Sequence, residues 1–319
     1  MHIAIAGPGA LGCLFVSLLA NKKQNHTDRL WLLDHNKERA NLLNQQGIIY
    51  ETGRDLQRTM IPVVTDPRTI KPVDIILFCV KSYSLNACLH FCLPLLSPKT
   101  LVVFLQNGIG HLDIQERLKL PSSPAFISSS EGATLVAPGH VLHAGRGTTQ
   151  VGFLHQPAQL QQQQLAELTQ TLQAAGLAIA QSMDIRSQLW AKLFINAGIN
   201  PLTALYQRSN GQLLTSCAAR SRIKNIVQEA EAVARACGIA ITTDPLKATF
   251  TVCTKTARNI SSMLQDRRHK RPTEIDSING AVVHAGKSLG LATPFNEEVV
   301  QQIKAMEAAY NQDEQKDET

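Results

Sequence analysis

The sequence lacks the marks of a secreted, membrane-spanning or metal-binding protein. No apolar run approaches the roughly 18 residues that a membrane span needs, and the apolar N-terminal segment has no basic leader, so we expect no signal peptide. The seven cysteines include no C-x-x-C pair, which argues against a zinc site or a disulfide framework and favours buried, reduced thiols. We therefore expect a cytoplasmic protein that holds no metal.

A strong excess of charge is also absent. The net charge of +6 is modest for 319 residues, and the basic cluster at 267–271 has no interleaved aromatic residues. Nucleic-acid-binding surfaces usually show both features, so we expect neither a nucleic acid nor a membrane as partner. The charge balance suits a small anionic substrate and an anionic cofactor. The length suffices for two domains with separate cores.

The chain opens with a predicted strand, a glycine-rich turn and a helix. Residues 3–6 form an apolar run without a polar face, which is typical of a central parallel strand. Gly7, Gly9 and Gly12 then follow the spacing G-x-G-x-x-G, which permits a tight turn, close approach of a pyrophosphate and packing of the helix on the strand. The alternative is a turn that binds nothing. The predicted dinucleotide contacts are Gly7, Pro8, Gly9, Ala10, Leu11 and Gly12.

Strand and helix signals alternate through the first half. The helices are expected at 10–21 and 37–46, and the strands at 29–33, 74–80, 101–105 and 125–129. This rhythm predicts a mostly parallel, doubly wound sheet. Two antiparallel strands, 141–143 and 148–153, are expected around Gly145 and Gly147. An amphipathic helix is expected over 156–175, with an apolar stripe formed by Leu160, Leu165, Leu168 and Leu172.

Helical patterns dominate from about residue 184. A helix over 222–237 is expected to end at Gly238, and a final helix is expected to start with Thr293 as N-cap and Pro294 in its first turn and to end near 310. The predicted fold is α/β: an N-terminal Rossmann-type doubly wound sheet, residues 1–183, followed by an all-helical C-terminal domain, residues 184–319. We expect the active site in a cleft between these domains.

A narrow polar stripe marks the first helix of that second domain. Lys192, Asn196 and Asn200 stand at positions i, i+4 and i+8 of an otherwise apolar helix. Unpaired polar side chains in an apolar environment cost free energy. The pattern therefore favours a functional site over a narrow strip that faces solvent. A second polar cluster, at 259–266 and 272–276, is better explained by helix caps and turns when it is taken alone.

These segments together resemble the ketopantoate reductase (2-dehydropantoate 2-reductase) family along the whole chain. The matching segments are Gly7 to Gly12, Val80-Lys81-Ser82, Gln106-Asn107-Gly108-Ile109-Gly110, Trp190-x-Lys192 with Asn196, Asn200-Pro201-Leu202-Thr203-Ala204, Asn210-Gly211, Asn259-Ile260-Ser261-Ser262-Met263-Leu264-Gln265-Asp266, and Thr273-Glu274-Ile275-Asp276-x-x-Asn279-Gly280. The last three groups, in this order, are specific to that family among nucleotide-dependent reductases.

The resemblance implies reduction of 2-dehydropantoate to pantoate, a step of pantothenate and coenzyme A biosynthesis, with hydride from a dihydronicotinamide. It implies that Lys192 is the proton donor and that Glu274 lies beside the nicotinamide ribose and the substrate. It also implies cofactor contacts by Lys81 and Asn107. The substrate-binding residues that it implies are Asn196, Asn200, Asn210, Asn259, Ser261 and Ser262.

One position departs from the family pattern. Family members that use NADPH often carry an arginine after the second strand, whereas this chain has Asp34, which suits a free ribose 2′-hydroxyl. Lys37 and Arg39 lie close enough in sequence to supply positive charge. The cofactor that the resemblance implies is therefore NADPH, and Asp34 makes NADH a second possible cofactor.

Other functions remain open from the sequence. They are reduction of another small 2-oxo acid, a related β-hydroxyacid or imine reductase with the same two-domain plan, and a non-catalytic dinucleotide sensor. Retention of Lys192 and Glu274 argues against the sensor. The oligomeric state, a monomer or a homodimer, also stays open.

Overall fold

The structure is a computed structural model that describes residues 1–20, 29–53 and 55–317. By its internal contacts the chain forms two units, Met1–Gln106 with Asp113–Ile185, and Asn107–Leu112 with Arg186–Thr319. Within the described ranges, no helix has the length and apolar character that crossing a membrane requires. The predicted boundary between residues 183 and 184 stays a prediction.

The first unit contains all strands of the described chain and five α-helices. The strands are β1 His2–Ala6, β2 Arg29–Leu33, β3 Ile48–Thr52, β4 Asp55–Thr59, β5 Val63–Val64, β6 Ile75–Phe78, β7 Leu101–Phe104, β8 Ala125–Ser129, β9 Gly132–Ala137, β10 His140–Gly145, β11 Thr149–Phe153 and β12 Ile179–Gln181. The α-helices are α1 Ala10–Ala20, α2 Lys37–Gln46, α3 Leu85–Cys92, α4 Ile114–Leu118 and α5 Gln159–Ala174. Short 3₁₀ helices span Pro67–Thr69, Ser82–Ser84 and Leu93–Leu95.

The large sheet confirms the predicted Rossmann-type fold. Eight strands of the described residues take the order β12-β11-β8-β7-β6-β1-β2-β5. Neighbouring strands are parallel except β8 and β11, which are antiparallel. β6 and β7 are buried along their whole length because they are apolar on both faces, as a covered central strand requires. α1 ends at Ala20 in the described part, and the predicted end at residue 21 lies outside it.

A second sheet, with strand order β4-β3-β10-β9, was not predicted. The expected pairing of 141–143 with 148–153 is wrong, because β10 pairs with β3 and β9, whereas β11 pairs with β8 and β12. Gly147 does not turn a hairpin: a Cβ there would lie 2.4 Å from the Ser130 carbonyl, so glycine serves a close backbone approach. The actual hairpin, between β9 and β10, turns at Pro138 and Gly139, where φ is +76°.

Helix α5 confirms the predicted amphipathic helix with one correction. Leu165, Leu168 and Leu172 are buried, whereas Leu160, in the first turn, is 40% exposed and does not belong to the apolar stripe. Two buried glutamines complete the packed face: Gln161 donates to the Pro98 carbonyl, and Gln164 donates to the carbonyls of Asp74 and Lys99. The glutamines therefore tie α5 to the carbonyls of the segments that precede β6 and β7.

The second unit confirms the all-helical prediction for the described residues after 185. Its helices are α6 Ile185–Tyr206, α7 Asn210–Leu213, α8 Cys217–Ala236, α9 Pro245–Lys255, α10 Ser262–Arg268, α11 Asn279–Ser288 and α12 Pro294–Asp317. α8 lies at the centre of the core, where the predicted apolar positions are buried, and Gly238 follows its end with φ of +72°. All seven cysteines are free thiols, but Cys217 and Cys237, at the two ends of α8, are exposed rather than buried as expected.

Helix α12 starts at Pro294 as predicted, but its N-terminus is capped differently. The Thr293 hydroxyl oxygen is buried and has no hydrogen-bond partner among the described residues. Instead, the carboxylate of Glu229, on α8, accepts the backbone N–H groups of Phe295 and Asn296, both at 2.9 Å. The predicted end near residue 310 is also wrong: the helix continues to Asp317, because no glycine or proline follows Pro294 to stop it.

Candidate active site

The glycine-rich turn after β1 has the geometry that a dinucleotide phosphate site requires. Gly7 has φ of +104°, and a Cβ there would lie 2.6 Å from Cγ1 of Val80. A Cβ at Gly12 would lie 2.0 Å from the Gly7 carbonyl oxygen, so α1 packs on the turn only with glycine at this position. At Gly9 the nearest such atom is 3.9 Å away, which leaves open space at the N-terminus of α1. These residues fit a bound pyrophosphate.

The carboxyl ends of β1, β2 and β6 are fixed beside this turn. The Gly7 N–H donates to the Leu33 carbonyl at 3.1 Å, and the Cys79 N–H donates to the Ala6 carbonyl at 2.8 Å. The buried amide of Gln106 donates to the carbonyls of Phe78 and Val80, at 2.9 and 3.0 Å. Gln106 thereby holds the segment that carries the predicted cofactor residue Lys81. The sequence contained Gln106 in a matching segment, but no local pattern showed which strand its amide reaches.

Asp34 and Arg39 form one ion pair at the end of β2. Arg39 Nε lies 2.6 Å from Asp34 Oδ2, and Arg39 Nη2 lies 2.7 Å from Oδ1. The Asp34 side chain is 0% exposed, whereas the Arg39 side chain is 36% exposed. The hydrogen bonds to Asp34 raise the pKa of the Arg39 guanidinium. From the sequence, Asp34 and Arg39 are alternative determinants of the cofactor's 2′ group. In the structure they form one ion pair, and the guanidinium is its more accessible partner.

In the second unit, Asn107 connects Lys192 to Glu274. The Lys192 Nζ donates to Asn107 Oδ1 at 2.9 Å, and Asn107 Nδ2 donates to Glu274 Oε2 at 2.8 Å. Burial lowers the pKa of Lys192 to about 8, and the negative charge of Glu274 acts in the opposite direction. An ammonium with this pKa can release and regain a proton near neutral pH, which is what a general acid needs.

The position of Asn107 is set by a glycine contact with the segment after Glu274. Gly108 has φ of +81°, and a Cβ there would lie 1.8 Å from the Ser277 carbonyl oxygen. The Ile109 N–H donates to the same carbonyl at 3.0 Å. Ser277 in turn donates its N–H to the Glu274 carbonyl at 3.1 Å. Only glycine at 108 permits this approach, so the turn after β7 places the Asn107 amide beside Glu274.

The predicted polar stripe lies on α6, and Lys192 is at its N-terminal end. Asn196 is partly buried and Asn200 is buried, one and two turns further along. The separation of eight positions between Lys192 and Asn200 corresponds to about 12 Å along the helix axis. At the far end, Thr203 Oγ1 donates to the Asn200 carbonyl at 2.8 Å and contacts Ser261 Oγ at 2.6 Å. The stripe is thus bounded by Asn107 at one end and Ser261 at the other.

The remaining predicted substrate residues surround the start of α10. Ser261 is the N-cap of α10 and accepts the Leu264 N–H at 3.1 Å. Asn210 donates its backbone N–H to the Asn259 carbonyl at 3.1 Å and its side-chain amide to Thr256 Oγ1 at 2.8 Å. Asn259 and Ser262 are exposed. The structure therefore brings Ser261 to the stripe, and Asn210 holds the loop that carries Asn259.

Comparison with known proteins identifies the family. The model of the family Ketopantoate reductase PanE/ApbA matches residues 3–156, and that of its C-terminal domain matches residues 184–307. A 2-dehydropantoate 2-reductase of Vibrio cholerae is 31% identical over 312 residues, which cover 98% of this chain and 99% of the relative. This chain belongs to the ketopantoate reductase family. It is an oxidoreductase with a Rossmann-like dinucleotide-binding fold.

Solved structures similar to this ketopantoate reductase family member span its whole length. A PanE/ApbA family ketopantoate reductase from Ralstonia eutropha is 28% identical with a TM-score of 0.86, covering 98% of this chain and 100% of its own. D-mandelate dehydrogenase, solved with NADH and anilino(oxo)acetate, is 26% identical with a TM-score of 0.88, covering 98% of this chain and 99% of its own. The ketopantoate reductase fold therefore also occurs in an enzyme that is named for a different substrate.

Proposed function

We propose that this chain reduces 2-dehydropantoate to pantoate with NADPH, and thereby serves pantothenate and coenzyme A biosynthesis. The observation that carries the proposal is the hydrogen-bonded series of Lys192, Asn107 and Glu274, in which the partly buried ammonium has its pKa lowered to about 8. The name of the Vibrio cholerae relative supports the choice of substrate. In this proposal residues 1–183 bind the cofactor, and residues 184–319 supply the proton donor.

The chain's own residues supply the proton and stabilise the developing charge. A reduced nicotinamide cofactor, when bound, supplies the hydride. As the ketone carbon gains that hydride, negative charge grows on its oxygen, and the Lys192 ammonium stabilises this charge and donates the proton that completes the hydroxyl group. Asn107 holds Nζ by accepting one of its hydrogens, which leaves two for the substrate oxygen and solvent. Lys192 regains its proton from water.

The substrate would be held along the α6 stripe. A 2-oxo acid presents a ketone oxygen and a carboxylate a few ångströms apart, and 2-dehydropantoate adds a terminal hydroxyl. The amides of Asn196 and Asn200 follow Lys192 on the same helix face, so they can bind these oxygens while the ketone faces Nζ. Asn259 and Ser262 are exposed and flank Ser261 in the chain, near the far end of the stripe, and we assign them to the carboxylate and the terminal hydroxyl.

The cofactor would bind at the glycine turn, with Lys81 and Asn107 as further contacts. Asp34 does not repel a 2′-phosphate as an isolated carboxylate would, because Arg39 neutralises it and is the more exposed partner. We therefore propose NADPH as the cofactor, with NADH also accepted. The NADH bound to D-mandelate dehydrogenase supports a nicotinamide dinucleotide at this fold.

A steady-state assay of the purified protein with 2-dehydropantoate, comparing NADPH with NADH, tests the proposal. Lys192→Ala should lower kcat by roughly 10²- to 10⁴-fold, which is typical of a lost general acid, and should leave cofactor affinity and thermal unfolding close to wild type. Lys287→Ala, which changes an exposed lysine, is the control. A Lys192→Ala variant with more than half of the wild-type turnover would contradict the assigned proton donor.

A second candidate is reduction of another small 2-oxo acid, because the structurally similar D-mandelate dehydrogenase is named for a different hydroxy acid. A panel of 2-oxo acids at equal concentration separates the two. The proposed substrate is wrong if a panel member without a terminal hydroxyl gives a higher kcat/KM than 2-dehydropantoate. Tight cofactor binding without turnover of any panel member would instead indicate the dinucleotide sensor.

A further inference from the structure

Helix α6 lacks one of its own hydrogen bonds at the centre of the polar stripe. Pro201 lies inside the helix and has no N–H, so the carbonyl of Ala197, four residues earlier, has no helical donor. Ala197 is fully buried, and water cannot replace the missing donor there. Asn279, the first residue of α11, fills this place: its Nδ2 donates to the Ala197 carbonyl at 3.2 Å.

The interrupted turn separates the two asparagines that we assign to the substrate. Asn196 directly precedes Ala197, and Asn200 directly precedes Pro201. The backbone bond that Pro201 removes is the one that would hold the Ala197 carbonyl, which lies between them in the chain. The donor from Asn279 therefore fixes this carbonyl, and with it the turn that directly follows Asn196 and leads to Asn200.

Asn279 is itself held by a buried network that reaches two other helices. Its Nδ2 also donates to Asn296 Oδ1 at 3.0 Å. The Nδ2 of Asn296 donates to the Ile226 carbonyl at 3.1 Å and to Glu229 Oε2 at 2.8 Å. Both asparagines are 0% exposed. The amide therefore connects the interrupted turn of α6 to α8 and α12, which a packing residue of the same size could not do.

We propose that Asn279 is a positioning residue of the reductase site, which replaces the hydrogen bond that Pro201 removes and so fixes Asn196 and Asn200 for substrate binding. This inference rests on the proposed function, since it assigns these asparagines to the 2-oxo acid. Asn279 acts through the Ala197 carbonyl and does not itself touch the substrate.

Asn279→Leu tests the proposal, because leucine has nearly the same shape and no donor. We expect kcat/KM for 2-dehydropantoate to fall by about 10- to 100-fold, as misplacement of binding groups typically does, mainly through a higher KM. The KM for NADPH and the pH dependence of kcat should stay unchanged, because the glycine turn and the Lys192–Asn107–Glu274 series remain. Backbone amides of α6 after Ala197 should exchange hydrogen faster. Val233→Ala, a cavity in the α8 core, is the control for lost stability alone.

The double variant Asn279→Leu/Pro201→Ala decides whether the Ala197 carbonyl is the point of action. An alanine in place of Pro201 has an N–H that can donate to this carbonyl, so we expect slower exchange in α6 and recovery of most of the lost kcat/KM. An Asn279→Leu variant with a wild-type KM would overturn the proposal, and so would a double variant that folds poorly or recovers nothing. A wild type that reduces no 2-oxo acid would contradict the proposed function instead, and the exchange measurement would still decide the role of Asn279.

Discussion

The burial of Lys192 would suit this side chain to the proton transfer that we propose for it. An unperturbed lysine has a pKa of about 10.4 and holds its proton too firmly to exchange it readily near neutral pH. Burial in the wall of α6 lowers the pKa of Lys192 to about 8, and the carboxylate of Glu274 limits this decrease. Asn107 lies between the two charges, so the carboxylate acts through an amide rather than by direct ion pairing.

The pH dependence of kcat/KM should report this pKa. A proton donor must be protonated, so activity should be constant below about pH 8 and fall as the pH rises through that value. Glu274→Gln removes the charge that raises the pKa of Lys192, so the alkaline decline should move to lower pH. Asp276→Asn is the matched control, because Asp276 is an exposed carboxylate paired with Lys304. A decline that stays in place in Glu274→Gln would show that Lys192 is not the titrating group.

The Asp34–Arg39 pair should govern the choice between NADPH and NADH. Asp34→Ala frees the guanidinium for a 2′-phosphate, whereas Arg39→Ala leaves a carboxylate that repels it. We expect the ratio of kcat/KM for NADPH to that for NADH to rise in the first variant and to fall in the second. Each change should be roughly 10- to 100-fold, since a charge-assisted hydrogen bond contributes about 1.5–3 kcal/mol.

Lys37→Ala is the control for that pair, because Lys37 is an exposed cation of the same segment. Steady-state kinetics with both cofactors supply the ratios for all three variants. Equal ratios in the wild type, Asp34→Ala and Arg39→Ala would mean that the pair does not face the cofactor. A change in Lys37→Ala alone would assign the 2′-phosphate to Lys37.

At the scale of elements, the C-terminus of α6 depends on a residue of the basic cluster. The last carbonyls of a helix have no donors within the helix. The guanidinium of Arg267, on α10, donates to the carbonyls of Ala204 and Leu205, and Arg271 lies 3.5 Å from the buried Asp266. The sequence alone suggested no role for the basic cluster at 267–271. In the structure, its residue Arg267 caps the helix that carries Lys192.

Arg267→Met should destabilise the protein, because methionine retains much of the apolar length but leaves two carbonyls without a donor. The free energy of unfolding should fall by about 1–3 kcal/mol, the usual cost of an unsatisfied buried polar group. Arg268→Met, at the exposed next position of the same cluster, should change it by less than about 0.5 kcal/mol. Denaturant titration of both variants measures the difference. Equal losses would show that the cluster stabilises through its charge rather than through the cap.

The elements that the sequence predicted are those with strong local signals. The apolar runs of β6 and β7, the glycine turn and the periodicity of α8 each lie within one short segment. The second sheet was missed because β3 and β10 pair across about 90 residues of chain, and nothing local specifies that partner. The N-terminus of α12 was assigned to the wrong cap for the same reason: Thr293 is adjacent in sequence, but Glu229 is adjacent in space.

At the scale of the whole molecule, the same limit applies to the site. Residue types and family resemblance named Lys192, Asn107 and Glu274, but their hydrogen bonds join positions 85 and 167 residues apart. Each unit has a separate hydrophobic core, and the segment Asn107–Leu112 belongs with the helical unit although it follows a strand of the first. The segment packs against the helical unit through the close approach of Gly108 to the Ser277 carbonyl. The hydrophobic periodicity of the sequence does not predict such a contact.

The net charge of +6 is a property of the whole molecule and should affect the binding of NADPH and NADH unequally. A 2′-phosphate adds about two negative charges at neutral pH, so NADPH is attracted more strongly than NADH by a positive protein. Raising the ionic strength from ~0.01 M to ~0.15 M shortens the screening length from about 30 Å to about 8 Å. The KM for NADPH should then rise more steeply than that for NADH, while kcat stays constant for both. Sucrose at equal osmolality is the control and should change neither KM. Equal salt dependence for the two cofactors would contradict this argument and leave contacts at Arg39 as the sole source of discrimination.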